Sequence, residues 1–162
     1  MAWAKNGTPH TLTGTSIVLE VTDLTATKFN TFLTHTISSA SAVVPQLQID
    51  DSASANYAQR HSNNGGADGA IVSQTKVQNT YTAGSSWTLF NICYGVNITG
   101  EEKLFILFNI ASGAAGAGTA PSRNELVFKS IQSAQFTQFN QFDDGGGAFY
   151  ASDSNVSAHG TD

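Results

Sequence analysis

The sequence predicts an all-β protein, a single antiparallel β-sandwich with a jelly-roll-like arrangement. Helical periodicity is nearly absent, and short apolar or alternating runs recur between clusters of Gly, Asn, Asp and Ser. These runs amount to about nine or ten strands, which suits a sandwich, and the jelly roll is a common form of it. We expect residues 1–162 to form one domain, because a chain of this length buries roughly two thirds of its unfolded surface.

The N-terminal half is predicted to contain five strands. One of them includes Pro45, which cannot donate to a β-ladder, so this strand should begin near Pro45 or lie at an edge, with Leu47 and Ile49 facing inward. The last two flank a glycine-rich loop at 63–69 and predict a hairpin around it. The predicted ranges are 15–22, 29–38, 43–50, 57–62 and 70–77.

The C-terminal half holds the strongest strand signals. The densest apolar run, 104–110, has seven residues, so it predicts a buried strand and not a membrane helix. Phe136, Phe139 and Phe142 break the period of two, which predicts a bulge or an edge position. Two glycine-rich segments, 113–121 and 143–147, are expected to be long loops. The predicted strands are 86–96, 103–111, 125–131, 148–150 and a short one near 156.

Charge is sparse in this chain. Asp, Glu, Lys and Arg make up 12% of the residues, against roughly 25% in an ordinary domain, and uncharged polar residues make up about a third. Such a surface suits a protein that packs against copies of itself or other subunits, and it is equally compatible with a secreted β-domain that has a neutral face. The net charge of −5 and the scattered basic residues disfavour nucleic-acid binding.

The sequence predicts no enzyme, no cofactor and no metal site. The glycine-rich segment at 113–118 lacks the Gly-Lys-Ser/Thr of a phosphate loop, and no Gly-x-Ser-x-Gly elbow is present. The four histidines are dispersed and do not form a metal-binding pattern. Cys93 is predicted to be a small, buried apolar residue. The acidic pairs at 50–51 and 143–144 are predicted to cap turns, with loop-bound calcium as the alternative. Residues 1–7 lack the pattern of a signal peptide, and no membrane insertion is expected.

Two motifs carry a resemblance to a known group of proteins. They are Asn56-Tyr57-Ala58 with Arg60, Ser62 and Gly65-Gly66-Ala67-Asp68, and Gly116-Ala117-Gly118 with Ala120-Pro121 and Arg123. The chain resembles, over most of its length, small structural proteins of marine tailed phages and related environmental viruses. It departs from them at 132–142 and after Tyr150. The resemblance implies a virion protein, made in the host cytoplasm, that decorates the capsid or belongs to the tail.

The expected function is therefore a non-enzymatic protein of the virion surface, a homotrimer in contact with other virion proteins such as the major capsid or tail protein. Arg60, Asp68 and Arg123 are the interface candidates, and the two arginines are expected to pin the two glycine-rich loops because guanidinium groups hold carboxylates and carbonyls in fixed geometry. The alternative is a carbohydrate-binding module or receptor-binding tip that recognises host glycans through Tyr57 and Tyr81.

Overall fold

The computed structural model describes residues 2–39, 43–51, 54, 56–79, 87–113, 116–144 and 150–162. All the secondary-structure elements within these ranges are β-strands, and the strands pair antiparallel. They are β1 (Ala4–Lys5), β2 (His10–Thr11), β3 (Val18–Val21), β4 (Phe29–Ile37), β5 (Pro45–Ile49), β6 (Tyr57–Asn63), β7 (Gly69–Gln74), β8 (Val77–Gln78), β9 (Thr88–Val96), β10 (Lys103–Ser112), β11 (Ser122–Ser130), β12 (Phe139–Asp143) and β13 (Asn155–Thr161).

Two sheets of unequal size form the sandwich. The large sheet has nine strands in the order β1-β13-β4-β9-β10-β11-β6-β7, with β2 also paired to β13. The small sheet has four strands in the order β3-β12-β5-β8 and covers one face of the large sheet. The opposite face of the large sheet has no second sheet over it in the described part of the chain. The predicted all-β sandwich is confirmed.

Eight of the strands follow jelly-roll order. In chain order, these eight strands are β3, β4, β5, β6, β7, β8, β11 and β12. The first, eighth, third and sixth of them form the small sheet. The second, seventh, fourth and fifth lie in the large sheet. The hairpin β9–β10 is inserted between the second and the seventh, and β13 extends the sheet beyond the second. The insertion puts β9 and β10 at the centre of the large sheet.

The predicted strands of the N-terminal half are mostly found. Strand β5 begins at Pro45, and Leu47 and Ile49 are buried as expected. Strands β6 and β7 form the predicted hairpin around the loop at 63–69. The predicted strand at 70–77 is divided, because β7 ends at Gln74 in the large sheet and β8 belongs to the small sheet.

Aromatic side chains join the two sheets. Phe32 of the large sheet stacks on Phe139 of the small sheet at 4.1 Å between ring centroids, and Phe136 contacts the rings of Phe32 and Phe105. Phe136 lies before β12, so the irregular phenylalanine spacing arises where that strand begins. The expected bulge or edge position is wrong, because β12 lies between β3 and β5.

A polar row crosses the interior of the large sheet. Thr34, Asn91, Asn109 and Asn124 are register partners in order on β4, β9, β10 and β11, and all four are buried. The Asn91 amide donates to Thr34 Oγ1 at 3.2 Å and to Gln141 Oε1 of the small sheet at 2.8 Å. Polar side chains therefore occupy inward positions that an ordinary sandwich gives to apolar ones.

Candidate interaction surface

Strand β10 presents apolar side chains on both faces of the large sheet. Its inward positions alternate with four outward ones whose residues are about half exposed: Leu104 at 54%, Ile106 at 48%, Phe108 at 47% and Ile110 at 50%. The prediction of a buried strand at 104–110 is therefore wrong for one of its two faces. An antiparallel sheet with one solvated face normally shows polar side chains there, so this face differs from an ordinary exterior.

Neighbouring strands extend the apolar surface. Ile106 is the register partner of Tyr94 on β9 and of Val127 on β11, and Phe90 is the partner of Ile110. Among the described residues, ten of the twelve large apolar ones that are exposed lie on this side of the large sheet, and we call them the apolar face. They are Trp3, Phe29, Val72, Phe90, Tyr94, Leu104, Ile106, Phe108, Ile110 and Val127.

One end of the apolar face is a trough of about 800 Å³. Tyr94, Leu104 and Val127 line it at the centre of the sheet. Trp3 and Phe29 line it on the side of β4, and Ala70 and Val72 of β7 line it on the opposite side. Phe90 and Ile110 lie outside the trough, at the other end of the same strands. The apolar face therefore has a concave half and an aromatic half.

The area of the apolar face is large for a free surface. The ten side chains are about half exposed. At on the order of 150–250 Å² for each large apolar side chain, they leave roughly 750–1,250 Å² of accessible area. The largest apolar patch on a typical monomer is about 300–600 Å². One partner in a stable protein interface contributes about 800 Å², so this face has the size of an interface.

Charged groups lie at the margin of the apolar face on β6 and β11. Arg60 pairs with Asp68 at 3.7 Å, Arg123 pairs with Glu125 at 3.7 Å, and Lys129 pairs with Glu102 at 2.8 Å. All these side chains are largely exposed, so each pair contributes at most about 1 kcal/mol to stability. Arg60 and Lys129 also line the trough, so the charges border the apolar residues of β10 on the side of β11 and β6.

The predicted interface residues gather around one loop. Arg60 and Asp68 form an ion pair across the loop at 63–69. The Arg123 backbone N–H donates to Asn64 Oδ1 at 2.9 Å, and the Asn64 N–H donates to the Arg123 carbonyl at 2.9 Å. Both arginines therefore lie beside the loop at 63–69, whereas the sequence assigned them to two different loops. Arg60 also lines the trough.

Tyr57 requires a correction, because it is not available to a glycan. It is 2% exposed, its hydroxyl accepts from the Ile49 N–H at 2.9 Å, and it donates to the Ile49 carbonyl at 3.3 Å. Burial raises the pKa of Tyr57 to about 12. Tyr81, the other predicted glycan contact, lies outside the described residues. Of the exposed aromatics, Trp3 and Tyr94 line the trough instead.

The buried titratable groups have structural roles. Lys103 is fully buried, and its Nζ donates to the carbonyls of Ile98, Glu101 and Ser133. Burial lowers the pKa of Lys103, and the Glu101 carboxylate acts in the opposite direction. Cys93 is buried as predicted, and burial raises the pKa of its thiol, which keeps it protonated and unreactive.

The acidic pairs cap turns and hold loops. The carboxylate of Asp50 accepts from the backbone N–H groups of Thr137 and Gln138, and Asp51 accepts from Asn140. Asp143 Oδ1 accepts from the Val44 N–H at 2.7 Å. Within the described ranges, no three His, Cys, Asp or Glu side chains come together as metal ligands. No helix in that part of the chain is long and apolar enough to cross a bilayer.

Sequence reasoning missed the apolar face. The signal was present in the run 104–110, where apolar residues occupy six of seven positions and only Asn109 interrupts them. In an antiparallel sheet such a run supplies both faces. Comparison with protein-family models, curated proteins and solved structures found no match to this chain.

Proposed function

We propose that the chain is a non-enzymatic structural protein of a virion surface, a capsid decoration or a tail component. It acts by binding copies of itself and a neighbouring virion protein such as the major capsid or tail protein. The observation that carries this proposal is the apolar face, whose roughly 750–1,250 Å² is close to or above one partner's share of a stable interface. An isolated soluble protein has no use for so much exposed apolar surface.

Two further features support an assembly role. Charge is sparse over the whole chain, at 12% of residues, so copies packed together repel one another little. The described charges near the apolar face lie on its β11 and β6 side, where they can orient a partner. The likeness of the motifs at 56–68 and 116–123 to phage structural proteins supplies the virion as the setting.

The test of this function is the composition of virus particles. Particles of a phage whose genome encodes the chain are purified, and their proteins are identified by mass spectrometry. We expect the chain in intact, density-purified particles, and immunogold labelling should place it on the capsid or the tail. Its presence in infected cells together with its absence from purified particles would contradict the proposal.

A second candidate function is glycan binding at the trough. Trp3 and Tyr94 expose about half of their surface there, and the exposed side chains of Arg60 and Lys129 line the same trough. Exposed aromatic rings beside charged hydrogen-bond donors are compatible with a sugar site. This candidate assigns the contact to Trp3 and Tyr94, and it allows a receptor-binding tip on the same virion.

A glycan array tests the second candidate. If sugars bind at the trough, the protein should bind one glycan class, and Tyr94→Ala should abolish that binding. Phe90→Ala, on the same face but outside the trough, is the matched control and should bind normally. If the protein binds no glycan, the assembly role remains as the only one of the two candidate functions. Binding that survives Tyr94→Ala excludes the trough as the sugar site.

A further inference from the structure

We propose that the apolar face binds the same face of a second copy of this chain, related by a two-fold axis that lies in the contact and runs perpendicular to β10. The trough of each copy then receives the aromatic half of the other, formed by Phe90, Phe108 and Ile110. This inference deepens the proposed function and rests on it for the premise that the face serves assembly.

The area of the face favours one contact over two. Roughly 750–1,250 Å² per copy is close to one partner's share, about 800 Å², of a standard interface. In a three-fold ring each copy would divide the face between two neighbours, and each contact would fall to about half the standard size. A pair uses the whole face once, so the pair replaces the homotrimer expected from the sequence in this proposal.

The openness of the trough points to a protein occupant. A small-molecule site encloses most of its ligand, whereas this trough lies on an open sheet face between the elements at Phe29 and Val72. Two sheets packed face to face, about 10 Å apart, are the usual way to cover such a surface. A second copy supplies a sheet of the same width, twist and apolar composition.

The shape of the face decides which two-fold axis is favourable. An axis parallel to the strands would set trough against trough and leave a void of up to twice 800 Å³ between the copies. An axis perpendicular to the strands exchanges the two ends of β10, so the aromatic half of each copy fills the trough of the other. Protein interiors tolerate few voids, and the second arrangement removes them.

The register fixes which charges meet at the margin in this arrangement. Phe108 and Glu125 stand in one row across the large sheet, and Ile106, Val127 and Arg60 stand in the next. Exchanging the ends of β10 places Glu125 of one copy over the row that holds Arg60 of the second copy, where opposite charges attract. It also places Arg123 over the row of Lys129, so the charges of the margin do not by themselves select this orientation.

A charge placed at the centre of the face tests the contact. We expect sedimentation equilibrium to give twice the 17.0 kDa of one chain. Ile106→Lys should weaken the pair by at least about 30-fold, the scale of an interface hot spot. Ile17→Lys is the matched control, because Ile17 is 46% exposed against 48% for Ile106 and lies off the face. It should pair like the parent.

Each outcome of the Ile106→Lys experiment either supports or overturns the proposed pair. A folded Ile106→Lys protein that is monomeric, with Ile17→Lys still paired, supports the proposal. A parent protein that is monomeric or trimeric overturns it, and so does an Ile106→Lys protein that pairs normally. Circular dichroism and the melting temperature establish that the variants are folded. Phe108→Lys, on the aromatic half, provides a second variant if Ile106→Lys does not fold.

Cross-linking tests the orientation of the two copies. Positions 104 and 110 lie about 20 Å apart along β10, and the proposed axis brings 104 of one copy opposite 110 of the second. A mixture of Leu104→Cys and Ile110→Cys proteins should be linked by a short bis-maleimide, and each variant alone should not. The buried Cys93 is the unmodified background. Linking of Leu104→Cys to itself would overturn the end-exchanged arrangement.

Failure of this inference and failure of the proposed function give different results. If the chain is found in purified particles but is monomeric in solution, the virion role stands and the face binds another virion protein. If the chain pairs through this face but is absent from particles, the pairing stands and the virion role fails. The particle composition and the mass in solution are measured independently.

Discussion

At the scale of single residues, burial changes the chemistry of two titratable side chains in opposite directions. Tyr57 is held inside by hydrogen bonds to Ile49, and burial, together with the carboxylates of Asp50 and Asp51, raises its pKa to about 12. Lys103 is fully buried, and burial lowers its pKa. Both shifts disfavour the charged form, so each group makes the stability depend on pH in the alkaline range.

Tyr57 should make the protein less stable above about pH 10. The unfolded tyrosine ionises near 10, whereas the folded one ionises near 12, so the folded state holds the extra proton between these values. Its contribution is fully present below pH 10 and is lost as the pH rises towards 12. Urea unfolding at several pH values should give a shallower decline for Tyr57→Phe than for the parent. Equal slopes for the two proteins would contradict this role of Tyr57. Lys103 changes the stability with pH in the opposite direction, but it is present in both proteins, so the comparison cancels its effect.

Lys103→Met should destabilise the protein by about 1–3 kcal/mol. The substitution keeps the length of the side chain but removes the hydrogen bonds of the ammonium group to three backbone carbonyls, and hydrogen bonds from a charged donor contribute about that much. Urea unfolding at neutral pH measures the loss. Lys129→Met is the control, because Lys129 is exposed and its ion pair with Glu102 contributes less than about 1 kcal/mol. A loss no larger than that of the control would exclude the proposed role of Lys103.

At the scale of elements, Asp50 holds the connection between β11 and β12 together with Asn97, whose side chain is hydrogen-bonded to the Phe136 backbone. Asp50, at the turn after β5, accepts from Gln132 Nε2 at 2.6 Å, from the Thr137 N–H at 2.7 Å and from the Gln138 N–H at 3.0 Å. This segment carries Phe136 into the core. A turn residue thus positions a core residue that lies far along the chain.

Asp50→Ala should cost about 1.5–3 kcal/mol of stability, since hydrogen bonds to a charged acceptor are the strong ones. Asp50 has a φ of 50°, which alanine tolerates poorly. Asp50→Asn separates the two effects, because asparagine tolerates this backbone and keeps one acceptor oxygen. We expect thermal unfolding to rank the parent first, then Asp50→Asn, then Asp50→Ala. A stable Asp50→Ala protein would show that the segment is held by other contacts.

At the scale of the whole molecule, the interior and exterior faces of the large sheet differ in polarity. The interior of the large sheet holds a polar row at Asn91 and Asn109, while its exterior holds the apolar face. The inserted hairpin β9–β10 provides most of that face, and it lies at the centre of the sheet. A jelly roll without this hairpin would lack six of the ten residues of the apolar face, so the proposed contact depends mainly on the insertion.

Association through the apolar face should be nearly independent of salt. The contact is apolar at its centre, and the rim charges are already paired within each copy. Raising the salt from about 0.05 to about 0.5 M screens exposed charges but leaves apolar burial unchanged or slightly strengthened. Sedimentation equilibrium should therefore give an association constant that changes less than about threefold. Dissociation at high salt would instead assign the contact to the rim.

The sequence by itself determined the fold class and most of the strands. Alternation of side chains along a strand is a local property, and Pro45 marks the start of β5 because it cannot donate to the ladder. The same local reasoning identified the β6–β7 hairpin and the buried Cys93. It located Arg60, Asp68 and Arg123 in loops or strand ends, without their partners.

Only the tertiary structure decided which face of β10 is inside. The run at 104–110 is apolar on both faces, so its pattern cannot tell the core from the exterior, and the position of the small sheet makes that choice. Tyr57 was a glycan contact in the carbohydrate-binding alternative because it lies at a strand end next to a polar loop, although Ile49 and the sandwich interior surround it. Strand pattern depends on neighbours along the chain, whereas burial depends on elements that are distant in sequence.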